Sequence, residues 1–233
     1  MLLLAALAHS APLSPAAAQS VKVGAEIAAL VTTQREWIAV KGCSNANCNA
    51  VRAEVLQGGQ LDVRVARNWG LYVQAARLVE HTDAAAYEGL GYAVTAGVKG
   101  GADLEGNLGV DGWVSYGRRS SADPTPTDGL ATLDSSIRNQ IDLGGDLRFG
   151  HASDGFLGWV GAEGTYNSEA LTVLDGSTRL DVRSAIPVSL VAGVLVLSEP
   201  LSGPWAQRGK IGAGVSGSAG FRTGVSAWLV VAL

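Results

Sequence analysis

The residues best suited to acid–base chemistry in this sequence are a histidine and an aspartate two positions apart, His81 and Asp83. A histidine held close to a carboxylate can act as a general base. No matching serine is recognisable nearby, and the sequence contains neither G-x-S-x-G nor H-E-x-x-H. We therefore predict that the chain is not an enzyme, with a hydrolase built on His81 and Asp83 as the less favoured alternative.

A glycine pattern used by dinucleotide-binding proteins, G-x-G-x-x-G, occurs at residues 212–217. In those proteins a helix follows the glycines and an acidic residue lies about twenty positions further on. Here the sequence after the pattern alternates like a strand as far as Leu233. We interpret the segment as a glycine-rich strand, and we expect no cofactor.

The first residues and the two cysteines indicate in which compartment the protein is located. An apolar run at residues 2–8 is followed by Pro12, Pro15 and three alanines at 16–18. This order is typical of a signal peptide, so we predict cleavage near Ala18, with an apolar helix packed on the domain as the alternative. In an exported chain, the spacing of Cys43 and Cys48 suggests a disulfide closing a tight polar loop. No further cysteine and no histidine cluster is present for a zinc site, and we expect no metal.

The overall composition restricts the possible partners. The chain has 21 acidic and 17 basic residues, a net charge of -4, and no basic cluster longer than the pair Arg118 and Arg119. This balance argues against nucleic acid as a bulk partner, because phosphate binding needs clustered cations. Glycine accounts for 31 of the 233 residues, well above the usual share of about 7 %.

Strict alternation of apolar and polar residues indicates β-strands. In 137–149 one parity is apolar while the other carries Arg138, Asp142, Asp146 and Arg148, and 104–116 repeats the pattern. Shorter versions occur at 21–31, 60–67, 71–79, 90–98, 156–166, 182–197, 210–217 and 223–233. These segments predict about ten strands. Residues 32–59 are either two more strands, giving twelve, or an extended hairpin that keeps ten, which we favour; eight also stays open.

The connections between these strands favour a membrane barrel over a soluble one. Tight turns are predicted at 68–70, 100–101 and 152–155, and long polar loops at 117–136 and 167–177. Short turns at one end and long loops at the other are typical of outer-membrane barrels. We predict that residues 19–233 form an all-β, antiparallel, up-and-down transmembrane β-barrel. An aromatic girdle near the strand ends is expected from Trp69, Tyr72, Tyr92, Trp113, Tyr116, Trp159, Trp205 and Trp228.

In these features the chain resembles small bacterial outer-membrane β-barrel proteins of the OmpA/OmpX-like kind. The most specific part is the end of the chain, 223–233, which looks like the terminal strand read by the barrel-assembly machinery, although it ends on Leu233 where phenylalanine is usual. The resemblance implies location in the outer membrane. It implies outer-membrane lipid and the assembly machinery as partners.

The charged parity is expected to line the interior of the barrel. The residues concerned are Asp62, Arg64, Glu105, Asp111, Arg138, Asp142, Asp146, Arg148, Glu163, Asp181 and Arg183. A small barrel is about as wide as its own side chains, so ion pairs should fill it. The favoured function is a non-enzymatic structural or recognition protein, with loop 117–136 binding an unidentified extracellular ligand. The alternative is a narrow channel filtered by Asp111, Asp142, Asp146 and Arg148.

Overall fold

The computed structural model describes residues 25–39, 49–66, 68–82, 87–122, 135–151, 155–174, 178–181, 188–199 and 209–232. The predicted signal peptide, the loop of Cys43 and Cys48, and the centre of loop 117–136 lie outside the described residues. Those three predictions stay predictions.

The described residues form a closed antiparallel barrel. Its strands are β1 (Ala25–Ala39), β2 (Asn49–Ala66), β3 (Trp69–Thr82), β4 (Tyr87–Asp103), β5 (Leu108–Ala122), β6 (Ser135–His151), β7 (Phe156–Leu174), β8 (Thr178–Asp181), β9 (Val188–Leu197), β10 (Lys210–Gly220) and β11 (Arg222–Ala232). Each strand pairs with its neighbours, and β1 pairs with β11, which closes the ring. The short β8 pairs with β7 alone in the described sheet. The predicted ten-stranded barrel is confirmed.

The ambiguous segment 32–59 is an extended hairpin. β1 and β2 pair without interruption from Ala25↔Val63 to Ala39↔Asn49. The segment therefore lengthens two strands that the alternation had already predicted, and it adds no strand to the ring.

Three of the predicted boundaries are wrong. Residues 100–101 lie within β4, and the turn comes later, at 104–107, where Gly106 has a positive φ of 71°. Residues 167–174 continue β7, where a loop was expected, and β8 follows them. Residues 117–122 continue β5, where the loop 117–136 was expected. Of the predicted strand 182–197, residues 188–197 form β9, and 182–187 lie outside the described residues.

The connections divide the barrel into two ends. The turn end holds the connections at 67–68, 104–107, 152–155 and 198–209, together with the first residue of β1 and the last of β11. The loop end holds those at 40–48, 83–86, 123–134, 175–187 and Phe221. The expected difference in length holds for the loop-end connections 40–48 and 123–134, while 83–86 has four residues, as do the turns 104–107 and 152–155. The difference reverses at the last connection, since Phe221 alone joins β10 to β11 while 198–209 joins β9 to β10.

Many wall glycines face an aromatic side chain on the neighbouring strand. Trp113 pairs with Gly144, and Trp228 pairs with Gly214. A Cβ atom added to either glycine would collide with the indole ring. The same arrangement occurs at Tyr72↔Gly97, Trp159↔Gly193, Trp69↔Gly100 and Phe149↔Gly158. Glycine is therefore required where an aromatic ring lies flat against the wall.

The aromatic girdle prediction is correspondingly wrong in part. Tyr72, Trp113, Trp159 and Trp228 are buried inside the barrel. Trp69, Tyr92 and Tyr116 are exposed on the outer face, and Trp205 lies outside the described residues.

The distribution of apolar and polar residues is inverted relative to a water-soluble protein. The outer face carries a continuous apolar band, in which Leu190 is 65 % and Leu229 is 63 % exposed. The interior holds charged side chains, with Arg138 only 2 % exposed. Toward the turn end the band includes Trp69, Phe149 and Phe156, and toward the loop end it includes Tyr92 and Tyr166. No described helix is long and apolar enough to cross a membrane.

Candidate functional site

The interior of the barrel is the candidate functional site. Alternate residues of each strand point inward, and toward the loop end these residues form a connected group of charges. We call this group the ionic layer. It comprises Glu36, Arg52, Glu54, Glu80, Arg119, Arg138, Asp142, Glu163 and Arg222, all buried.

The carboxylate of Glu54 lies at the centre of this layer. Its Oε2 accepts hydrogen bonds from Nη1 of Arg119 and, at 2.6 Å, from Nε2 of Gln34. Its Oε1 accepts a hydrogen bond from Nη2 of Arg138. One carboxylate on β2 thus neutralises two guanidinium groups that β5 and β6 contribute from across the lumen.

The carboxylate of Glu36 links Arg138 to Arg222. Nη1 of Arg138 donates to Oε2 of Glu36 at 3.1 Å, while Nε of Arg222 lies 3.7 Å from Oε1. Arg222 also contacts Asp142, with Nη1 3.3 Å from Oδ1, and Glu163, at 3.9 Å. The chain of contacts therefore crosses the lumen from β6 through β1 to β11 and back to β6 and β7.

A separate pair anchors the β2–β3 side of the layer. Nε of Arg52 lies 3.0 Å from Oε1 of Glu80. The hydroxyls of Ser121 and Ser136 donate to the same carboxylate at 3.1 and 3.2 Å. The ionic layer thus draws on β1, β2, β3, β5, β6, β7 and β11, and its charges extend over most of the cross-section.

Toward the turn end a second set of ion pairs lines the β2–β6 side. Nζ of Lys99 lies 2.5 Å from Asp62. Arg148 contacts Asp111 at 2.9 Å and Asp103 at 3.0 Å.

Apolar side chains fill the interior beside these ion pairs, on the β9–β11 side. Leu30, Leu195 and Val230 are buried there, with the rings of Trp159 and Trp228 5.8 Å apart. The interior is therefore occupied by side chains at both ends.

The structure brings together most of the residues predicted to line the interior. Asp62, Arg138, Asp142, Asp146, Arg148 and Glu163 are buried inside, and Arg64 and Asp111 are half-buried on the inward parity. Glu105 was expected in the interior and is instead exposed in the turn after β4, since that strand ends at Asp103. Asp181 belongs to β8, which lies outside the ring, and Arg183 lies outside the described residues.

The sequence interpretation missed the core of the ionic layer. Glu36, Arg52 and Glu54 belong to the hairpin extension, and Arg119 lies in a segment predicted as loop. The signal that was available is their spacing, because Glu36, Arg52 and Glu54 keep the parity of the inward residues of β1 and β2.

Of the predicted acid–base pair, His81 lies within the described residues. His81 is exposed on the outer face, with Nδ1 3.6 Å from Oε1 of Glu88, and Asp83 lies outside the described residues. The described part of the chain contains no group of three residues suited to holding a metal ion.

No protein-family model and no curated protein matches the chain. Among solved structures, the chain is similar to the translocator domain of the autotransporter NalP from Neisseria meningitidis, with 11 % identity, a TM-score of 0.46, and coverage of 99 % of this chain and 95 % of that one. It is similar to the transport unit of the autotransporter AIDA-I from Escherichia coli, with 12 % identity, a TM-score of 0.45 and 91 % of both chains covered. The outer membrane protease OmpT from Escherichia coli gives 9 % identity and a TM-score of 0.38, over 92 % of this chain and 97 % of that one. At these values the similarities carry no argument, and the barrel rests on the strand pairing of this chain.

Proposed function

We propose that this chain is a bacterial outer-membrane barrel with a lumen closed by its own side chains, serving as a non-enzymatic scaffold for recognition loops. The observation that carries the proposal is the inverted distribution of residues. A continuous apolar band on the outside and buried arginines on the inside suit a barrel surrounded by lipid.

The energetic argument concerns the outer face. Exposed leucines and valines occur on every strand of the ring, and each costs free energy in water. Soluble proteins rarely expose contiguous apolar patches larger than a few hundred Å². In a bilayer the same residues contact acyl chains, while the closed ring satisfies the backbone hydrogen bonds.

The connections give the proposed orientation. Outer-membrane barrels have short periplasmic turns and longer extracellular loops. The turn end therefore faces the periplasm, and the loop end faces outward. β11, which closes the ring against β1, is the segment we propose the barrel-assembly machinery reads.

Recognition is assigned to the outer loops, and foremost to loop 117–136. Its central residues 123–134 contain the stretch Asp-Pro-Thr-Pro-Thr-Asp-Gly, in which two prolines, two aspartates and a glycine favour turns. Loops on a rigid scaffold are where binding specificity commonly resides. Deletion of 123–134 should leave the barrel folded and abolish any adhesion of cells displaying the protein; adhesion that survives the deletion would contradict this assignment.

Membrane insertion is tested by refolding the urea-unfolded chain into phospholipid vesicles. We expect the protein to float with the vesicles in a density gradient and to migrate differently on electrophoresis before and after boiling, as a folded barrel would. A protein that stays in the aqueous fraction, with one mobility, would contradict the proposal. A water-soluble β-sandwich or carrier would behave in that way.

One observation favours a second candidate, a narrow ion channel. The side-chain polar atoms of Gln74, Thr95 and Ser216 are buried and have no hydrogen-bond partner among the described residues. Buried polar groups of this kind bind water, and a hydrated path would allow Asp111, Asp142, Asp146 and Arg148 to act as a filter. If so, replacing the three aspartates by asparagine should remove a cation preference of the current.

A further inference from the structure

Three arginines occupy equivalent positions on the outer face. Arg35 on β1, Arg77 on β3 and Arg118 on β5 are all exposed. Each one follows apolar outward residues of its strand on the side of the loop end: Arg77 follows Val73 and Ala75, and Arg118 follows Val114 and Tyr116. The three guanidinium groups therefore lie in the loop-end part of the apolar band, with Val79 and Leu90 beyond Arg77 toward the loop end.

The strand register places these arginines close to one another. Arg77 pairs with Tyr92 on β4, and Arg118 pairs with Val94, two residues further along the same strand. With strands about 4.8 Å apart and a rise of about 3.4 Å per residue, the Cα atoms of Arg77 and Arg118 are roughly 12 Å apart. Ala53 of β2 pairs with both Arg35 and His81, which puts Arg35 roughly 17 Å from Arg77 by the same spacings.

Among the described side chains of the outer face, the arginines lie on β1, β3 and β5, on one half of the ring. On β7, β9, β10 and β11, the described outward side chains nearest the loop end are Tyr166, Val188, Ala219 and Thr223, none of them charged, and Thr223 pairs directly with Arg35. On the arginine half, the exposed acidic residue described on the outer face is Glu88, and it lies beside His81, closer to the loop end than Arg77. We call the set of Arg35, Arg77 and Arg118 the arginine crescent.

We propose that the arginine crescent binds the phosphate groups of a multiply phosphorylated glycolipid in the outer leaflet. This inference rests on the proposed function, which places the apolar band in the membrane and the loop end outside. The crescent then lies in the outer half of the membrane, where the long arginine side chains can extend along apolar surface and place their guanidinium groups among the lipid headgroups. Guanidinium groups keep their charge under all physiological conditions and bind phosphate through two parallel hydrogen bonds.

The spacing and the neighbouring side chains favour a headgroup with more than one phosphate. With Cα atoms roughly 12 Å apart, Arg77 and Arg118 can converge on one phosphate, whereas Arg35, roughly 17 Å from Arg77, is placed to bind a second one. Tyr92 and Tyr116, each 52 % exposed, lie beside Arg77 and Arg118. Their rings and hydroxyls are suited to contact the sugar units that carry the phosphates.

The test measures lipid preference with the refolded protein in zwitterionic detergent. Lipid A with two phosphates is titrated against wild type, and the same lipid with its phosphates removed serves as the comparison probe. The readout is the apparent Kd from intrinsic fluorescence. We expect wild type to bind the phosphorylated lipid at least tenfold more tightly than the dephosphorylated one, and the variant Arg35→Gln/Arg77→Gln/Arg118→Gln to lose that preference.

Matched variants separate a specific site from general effects. Tyr166→Gln/Val188→Gln places two glutamines on β7 and β9, strands that do not pair with β1, β3 or β5, and it should keep the full preference. The corresponding Arg→Lys triple variant should keep part of it, because the charge is retained without the bidentate geometry.

Three results would overturn the inference: equal binding of both lipids by wild type, an unchanged preference in the glutamine variant of the crescent, or displacement of the lipid by inorganic phosphate at similar concentration. Vesicle flotation and the boiling-dependent mobility shift are measured on every variant. If wild type fails those two assays, the proposed function fails; if it passes them and shows no lipid preference, the crescent proposal alone fails.

Discussion

The buried carboxylate of Glu54 forms ion pairs with two arginines, where a simple ion pair has one partner. It neutralises Arg119 and Arg138, and all three side chains are almost completely buried. A buried charge that loses its partner is costly because the interior solvates it poorly. The ionic layer should therefore stabilise the barrel only as a complete set.

Replacing Glu54 by glutamine should lower the free energy of unfolding by about 3–5 kcal/mol, the range expected when one partner of a buried ion pair is removed. The measurement is a denaturant titration of the protein in vesicles, followed by the boiling-dependent mobility shift. Glu88→Gln is the control, since its carboxylate is 80 % exposed and should change stability by less than about 0.5 kcal/mol. Similar effects of the two substitutions would show that the buried charges of the layer are not coupled.

A second residue-scale prediction concerns the aromatic–glycine pairs. Gly144→Ala should destabilise the barrel by about 1–3 kcal/mol, because the new methyl group collides with the ring of Trp113. Gly112 pairs with Gly145 in the same two strands, and the nearest atom to its added Cβ would be 3.6 Å away. Gly112→Ala should therefore be nearly neutral, and equal costs at both positions would refute the role assigned to Trp113.

At the scale of the element, alternation predicts strands only where the two sides of the sheet differ. Within the apolar band they differ, and the ten strands of the ring were predictable from period-two patterning. Beyond the band both sides are polar: Thr33 and Arg35 point outward while Gln34 and Glu36 point inward. The hairpin extension of β1 and β2 was therefore ambiguous in the sequence, and the loop-end part of β5 was mistaken for loop for the same reason.

The interior could be predicted in composition but not in detail. Parity alone indicated that Asp142, Arg148 and Glu163 face inward. The partners could not be assigned, because contacts such as Arg138 with Glu54 join residues far apart in the chain and depend on the register of every strand between them. Glu105 shows the reverse case, since its parity was right for the predicted strand 104–116, but β5 begins only at Leu108.

The apolar band leads to a prediction for β11. Leu229 points outward near the middle of the run from Val225 to Val231, while Thr223 lies at its loop-end edge. Leu229→Arg should cost about 2–4 kcal/mol in a lipid bilayer, and Thr223→Arg about 0–1 kcal/mol. The check is a guanidinium titration in vesicles; equal costs at the two positions would mean that no bilayer midplane crosses β11.

At the scale of the whole molecule, the barrel is a closed ring of strands whose interior is filled by side chains. The ionic layer extends across the loop-end part of the lumen, and apolar side chains including Trp159 and Trp228 pack toward the turn end. Such an interior supports a rigid scaffold for the outer loops. It also opposes the free passage of solutes that a general porin allows.

The most direct test of this account is the conductance of the inserted protein in a planar lipid bilayer. Insertion is verified on the same preparation by the boiling-dependent mobility shift, so that silence cannot arise from unfolded protein. We predict no discrete current steps, because paired charges and apolar side chains occupy the lumen. Reproducible steps from folded, inserted protein would contradict the closed lumen and would establish the channel as the function to pursue.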